Sequence, residues 1–294
     1  MTLLVILPNW LGDAVMATPA IEALCVIYPE AELTLVGSFV SIEALKYHPQ
    51  YKRHYVDETK KGGNRFLNTY RFAAELGAHD MAITFRNQLH SSLLLYWSGT
   101  AITAGRRSWH SSLLLTHAIK PHHPSHLVEQ YRDIAQSLSH QPLVIESLKL
   151  HIPSHHYSRP TLGINPGATY GSAKRWYPEK FAEVARAYAD RYEIILFGGP
   201  SEVGMANDIE SRLKGINVTN LAGKTSIAEL CSFIGGLDLF ITNDSGPMHV
   251  AAAYQVPTVA IFGPTRHLET SQWRNEKSVI VRHDMECAPC MKRE

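Results

Sequence analysis

The sequence has no run approaching the roughly twenty consecutive apolar residues that a membrane-crossing helix needs, so no such helix is expected. It also lacks a net charge: 28 Lys and Arg stand against 27 Asp and Glu, leaving +1 and no global electrostatic case for nucleic acid or an anionic membrane. Cysteine is scarce. Of the four, Cys25 and Cys231 stand alone among apolar neighbours and read as buried thiols, while Cys287 and Cys290 form one C-x-x-C pair, short of the ligand set of a structural zinc. The N-terminal TLLVILPNWLGDAVMATPA lacks the basic start of a signal peptide, and Pro8 and Asp13 interrupt its apolar run. A cytoplasmic protein is expected.

Two further absences are local. The loop after the first apolar run, PNWLGDAV, holds only Gly12 where a dinucleotide fold needs G-x-G-x-x-G, which argues against a nicotinamide enzyme. Between Met81 and Val128 there is no Asp or Glu, yet Arg86, Arg106, Arg107 and Lys120 share the window with six histidines. That window is either a solvated basic face or a surface that receives an anionic substrate.

What is present is an ordinary apolar fraction of 45%, enough for sizeable cores, in a length of 294 residues that suggests two domains. Strand-like runs alternate with helical periodicity. The first half predicts strands over 3–7, 32–36, 54–56, 81–85 and 101–104, with helices over 14–28, 41–47, 66–76, 91–96 and 127–138. After the polar HIPSHHYSRP stretch the pattern restarts, with strands over 162–164, 193–197, 218–221, 237–241 and 258–262 and helices over 178–188, 202–213, 227–234 and 249–254. The expectation is an α/β protein of two Rossmann-like doubly wound domains, 1–157 and 158–294, facing across a cleft between their sheet edges.

Chemistry gathers where strands end. Residues 237–253, LDLFITNDSGPMHVAAA, pass from an apolar strand through Asn243, Asp244, Ser245 and Gly246 into a helix with Pro247 near its start and His249 in its first turn. Such a helix start binds phosphate readily, and a self-capped turn would use the same residues. The loop NPGATYGSAKRW offers Gly167 and Gly171 for close backbone approach, the Thr169 and Ser172 hydroxyls, and Lys174 as a point charge, without the G-K-[ST] of a Walker A motif. Glu202 in GGPSE is placed either to accept from ribose hydroxyls or to complement a helix dipole, and Thr225 in AGKTS either lines the same edge or precedes a helix cap. Asp13, just after Gly12 at the head of a helix, reads on its own as the helix N-cap.

Taken together, PNWLGDAVMATPAI, NPGATYGSAKRWYP, HLVEQYR and NDSGPMHVAAA followed by FGPT resemble the ADP-heptose:lipopolysaccharide heptosyltransferases of glycosyltransferase family 9, and the NPGA-x-x-G-x-x-KRW form is most similar to the heptosyltransferase II branch. The resemblance implies the GT-B fold and inverting transfer of L-glycero-D-manno-heptose from ADP-heptose to the heptose of a Kdo-lipid A inner core, at the inner leaflet and without a metal or other cofactor. It matches Asp13 to the catalytic base and Lys174 to the phosphate-binding lysine. Thr169, Glu202, Thr225, Asp244, Ser245, Gly246 and His249 match donor-binding positions. Arg86, Arg106, Arg107 and Lys120 are then the candidates to face an acidic acceptor. A GT-B-like nucleotide-sugar epimerase and a non-catalytic nucleotide-binding module are the competing readings; the first needs no acceptor surface and the second no base.

Overall fold

Apolar runs buried on both faces form the strands, and the amphipathic segments between them form the helices that cover those faces. The computed structural model describes residues 1–283 and 285–293. The first half runs β1 (Thr2–Ile6), α1 (Leu11–Met16), α2 (Thr18–Ile27), β2 (Glu32–Gly37), α3 (Phe39–Leu45), β3 (Tyr51–Val56), α4 (Arg65–Leu76), β4 (Met81–Thr84), α5 (Leu89–Trp97), β5 (Ile102–Arg106), α6 (Ser111–Leu114), β6 (His117–Ile119) and α7 (Leu127–Gln136). The second half runs β7 (Thr161–Asn165), α8 (Pro178–Tyr188), β8 (Glu193–Leu196), α9 (Val203–Arg212), β9 (Val218–Asn220), α10 (Ile227–Gly235), β10 (Leu239–Asn243), α11 (Gly246–Ala253), β11 (Thr258–Phe262), α12 (His267–Thr270) and β12 (Ser278–Arg282).

Among the described residues the strands make two six-stranded sheets, ordered β3-β2-β1-β4-β5-β6 and β12-β11-β10-β7-β8-β9. Every pairing is parallel. Each order is the doubly wound 3-2-1-4-5-6 pattern, in which the chain reverses direction between the first and fourth strands. The reversal falls between β1 and β4 in one sheet and between β7 and β10 in the other. The chain divides into two compact units after His151, within the HIPSHHYSRP stretch. In the first, Leu4, Ile6, Val36, Ala82, Leu94 and Leu95 anchor the core; in the second, Leu162, Ile164, Phe181, Ile194, Leu196 and Ile209 do so.

Several elements differ from the sequence expectation. The single helix expected over 14–28 is two, broken at Ala17, because Pro19 has no N–H to donate and the Thr18 hydroxyl instead reaches Val15 O at 2.7 Å. The expected strand 237–241 lies two residues later and carries Thr242 and Asn243 fully buried, since hydrogen bonds from both side chains make polar burial tolerable. The short elements α6, β6, α12 and β12 had no strong signal: β6 spans three residues, and Val279 and Val281 of the edge strand β12 are exposed.

The segment that leaves the first unit is clasped to α2 through one carboxylate. Glu22 accepts from His151 Nε2 at 2.6 Å and pairs with Lys149 Nζ at 3.2 Å and His48 Nε2 at 3.3 Å. Burial pushes its carboxyl up, but hydrogen bonds and charge from His48 and His151 outweigh that and bring it down to about 2. A lowered folded-state value means that the contribution to stability is present above the ordinary 4.5 and is lost as pH falls towards about 2. The stability advantage of the wild type over Glu22→Gln, measured by urea unfolding, is therefore expected to shrink by roughly 1 kcal/mol as pH is lowered from about 5 to about 2, solvent screening keeping the effect small.

Candidate active site

Strands β7 and β10 lie side by side with Asn165 opposite Thr242, so they end together at the switch point of the second sheet. Open α/β sheets bind ligands at such a point, outside the carboxyl ends of the strands. Two buried asparagines tie the loops there. Asn165 Nδ2 donates to Gly167 O at 3.2 Å and to Ser245 Oγ at 3.3 Å, while Asn243 Nδ2 donates to Pro166 O at 2.7 Å and its Oδ1 accepts from Trp176 N at 3.1 Å. The loop from 166 to 176 thus has a fixed course, and Arg175 adds two bonds to Ala168 O.

That course delivers Lys174 to Asp244. Lys174 Nζ lies 2.6 Å from Asp244 Oδ2, with the lysine side chain 13% and the aspartate 3% exposed. The Thr265 hydroxyl donates to the same oxygen, and the ammonium also sits 4.9 Å from the centre of the Tyr170 ring. A positive group is therefore held beside the start of α11. Ser245 is the N-cap of that helix but gives it no side-chain cap, because its hydroxyl is engaged with Asn165 and Thr242. The self-capped turn is not what forms. Gly246 and Pro247 are the first two helical residues, and His249 is the fourth and buried.

Glu202 belongs to the same edge through the β8 loop. Its carboxylate accepts from Gly199 N at 2.8 Å and lies against Gly167, where a Cβ would come within 2.0 Å of it, so that a side chain there would displace the carboxylate. It gives α9 no side-chain cap. Thr169 is exposed on the first loop, whereas Thr225 is half-buried farther along, just before Ser226, which caps α10. Lys174, Asp244, Ser245 and Gly246 are thus brought together and Glu202 adjoins their loop. Thr265 was not among the expected residues, although FGPT is a visible motif; Asn165 and Asn243 carried a signal only as polar residues at the ends of two apolar runs.

In the first unit Asp13 is the third residue of α1, and the N-cap is Trp10, without a side-chain bond. Asp13 is therefore not the cap. It is half-buried, and burial followed by its negative charge holds the nearby Tyr131 phenol well above the ordinary range. Arg106, Arg107 and Lys120 converge with Pro121 and His123 around an open cavity of about 520 Å³, and Gln130 accepts from Arg106 Nη1 at 2.9 Å. Arg86 does not join them. The expectation of an acceptor-facing cation is corrected there: Arg86 is 7% exposed, its Nη1 is 2.6 Å from Asp57 Oδ2 and its Nε donates to Leu7 O at 2.6 Å. Sequence showed a positive charge in an acid-free window and nothing of the distant carboxylate that buries it.

Glu22, His48 and His151 place potential ligand atoms within 4.8 Å of one another. One ring nitrogen of His48 is already engaged, since Gln50 N donates to its Nδ1 at 3.1 Å, and His151 Nε2 lies 2.6 Å from Glu22.

Two doubly wound parallel sheets, with a lysine and an uncapped helix start at the switch point of the second, define a GT-B glycosyltransferase. The sequence pattern of glycosyltransferase family 9 (heptosyltransferase) matches residues 69–294, and the chain belongs to that family. Over its whole length it is 36% identical to lipooligosaccharide heptosyltransferase 2 of Campylobacter jejuni, spanning 90% of that protein. Its structure is similar to that of E. coli ADP-heptose lipopolysaccharide heptosyltransferase II, with a TM-score of 0.81 at 25% identity over 99% of this chain and 96% of the other. The fold is also that of E. coli heptosyltransferase WaaC solved with ADP, with a TM-score of 0.84 at 18% identity over 97% and 94% of the two chains.

The buried Lys174–Asp244 pair has a measurable signature. Lys174→Met and Asp244→Asn are each expected to cost about 3 kcal/mol in urea unfolding, since each strands its partner, and the double variant less than their sum. Additive losses would mean that the two groups do not interact.

Proposed function

We propose that the chain is an inverting heptosyltransferase of the II type, moving L-glycero-D-manno-heptose from ADP-heptose to the heptose of a Kdo-lipid A inner core. The observation that carries this reading is the Lys174 ammonium held beside the uncapped start of α11 in a chain of family 9. As the acceptor hydroxyl attacks the anomeric carbon, the bond to the diphosphate breaks and negative charge grows on the leaving ADP. Lys174 and the positive end of α11 stabilise that charge. Asp13 takes the hydroxyl proton. Thr169, Ser245, Gly246 and His249 contact the donor around its diphosphate and sugar, while Glu202 and Thr225 hold its nucleoside. Asp244 shares the ammonium with the arriving diphosphate.

With a cation and helix amides in place, the reaction needs no metal, and chelators leave it unchanged. The cavity lined by Arg106, Arg107 and Lys120 suits the carboxylates of an acidic acceptor. An epimerase has no use for such a cavity. The enzyme works in the cytoplasm, touching the inner leaflet from which its acceptor projects. No helix among the described residues is long and apolar enough to cross a membrane.

Lys174→Ala is expected to lower turnover on the order of a hundredfold, about 3 kcal/mol, with donor affinity changing far less, because the charge it meets is largest in the transition state. Steady-state kinetics alongside calorimetric ADP binding measures both, and an equal loss in the two would make Lys174 a binding residue only. Asp13→Asn is expected to keep ADP binding and cost about a hundredfold or more in transfer to a heptose-bearing acceptor. Retained activity in a folded Asp13→Asn protein would falsify the base assignment.

A further inference from the structure

Three strands of the first sheet are tied together at their ends around Asp57, through its backbone N–H and its buried carboxylate. Asp57 follows β3; its N–H donates at 2.8 Å to the carbonyl of Gly37, the last residue of β2, and its Oδ1 accepts from the Thr59 hydroxyl at 2.7 Å. Its Oδ2 accepts from Arg86 Nη1 at 2.6 Å, beyond the end of β4, and from His90 Nε2 at 3.1 Å, near the start of α5. His90 is fixed from its other side by Thr69 of α4, at 2.9 Å from Nδ1. Burial raises the Asp57 carboxyl, but the bonds from His90 and Thr59 and the Arg86 charge outweigh it and keep Asp57 ionised.

The outer arm of this network reaches the loop that carries Asp13. Arg86 Nε donates to Leu7 O at 2.6 Å. Leu7 is the first residue past β1, and from it the chain runs through Pro8, which has no N–H, to Asn9, whose carbonyl accepts from Ser38 Oγ at 2.8 Å, and then into α1. Leu7 O and Asn9 O are thus carbonyls by which the body of the unit grips this loop, beside the Leu7 N–H that donates to Val36 O at 2.8 Å. The arrangement is poor as a device for stability alone: the Arg86 and Asp57 side chains are 4% and 8% exposed, and Arg86 Nη2 is buried without a hydrogen-bond partner. Well-packed apolar residues commonly match or exceed a buried ion pair in stability, but they cannot hold a carbonyl in a fixed direction.

We propose that Asp57 and Arg86 are positioning residues for the transferase reaction: Asp57 orients the Arg86 guanidinium, which holds the Leu7 carbonyl and with it the loop and first helical turn that carry Asp13. This rests on Asp13 acting as the base. Neither residue touches a reacting atom. Displacing a catalytic group by about 1 Å costs on the order of a hundredfold in rate, so a loosened grip is felt in turnover.

The test uses the full chain carrying Arg86→Lys, which keeps a charge for Asp57 but lacks the planar fork that serves Asp57 and Leu7 O at once. Turnover per folded molecule is expected to fall at least tenfold while the KM for ADP-heptose and the Kd for ADP stay within about twofold. Amide exchange, followed by mass spectrometry, is expected to speed up over residues 7–14 and not in the other strands of the first sheet. Should Arg86→Lys fold poorly, Asp57→Asn serves in its place, leaving the guanidinium without its ionic guide. Unchanged turnover, or unchanged exchange over 7–14, overturns the proposal. If the unaltered chain transfers no heptose, the proposed function falls on its own; exchange then decides whether the pair holds this loop, unchanged protection again overturning it and local loosening supporting it.

Discussion

The reversal of strand order in each parallel sheet is the constraint on which everything else hangs. At that point neighbouring strands send their connections to opposite faces, so their ends are not closed over by a common crossover. In the second unit β7 and β10 finish there, and polar residues have to end two strands whose interiors are largely apolar. Asn165 and Asn243 meet that demand by bonding to backbone groups of the loop between 166 and 176. The same bonds that satisfy the buried amides fix the loop, and the fixed loop sets Lys174 on Asp244. In the first unit the corresponding strands, β1 and β4, end at Ile6 and Thr84, and Arg86, two residues past β4, bonds to Leu7, the residue that follows β1.

Periodicity made the interior of both sheets legible, because strands buried on both faces leave continuous apolar runs such as LLVI and IIL. It failed where burial is partial. The edge strand β12 exposes Val279 and Val281, and β6 is too short to show a period. The loop residues of the second unit were legible for a different reason: glycine, hydroxyl and lysine chemistry clusters over a few positions, so local sequence carries most of the information. Thr265 lies 21 residues from Asp244 and its contribution is visible only in space. Arg86 shows the same limit more sharply. An arginine in an acid-free window reads as exposed, yet its partner Asp57 comes from just past another strand, 29 residues back, and together they are buried.

The cations of the first unit therefore divide into two kinds. Arg106, Arg107 and Lys120 stand around an open cavity, their charge available to solution, whereas Arg86 is neutralised inside the fold. Composition treats them alike. Their distinction depends on where the carboxylates are, and the chain from Met81 to Val128 has none of its own.

The bare first turn of α11 couples ligand to folding. Ser245 turns its hydroxyl to Asn165 and Thr242 instead of its own helix, so the turn lacks a cap of a kind typically worth about 1 kcal/mol. On the proposed function, an anion that settled against that turn would finish what the polypeptide leaves incomplete, and the diphosphate would be a structural part of the helix for as long as it stayed. Departure of the product would then expose the turn again, which would give the leaving nucleotide a cost of release and the next donor a place already shaped for it.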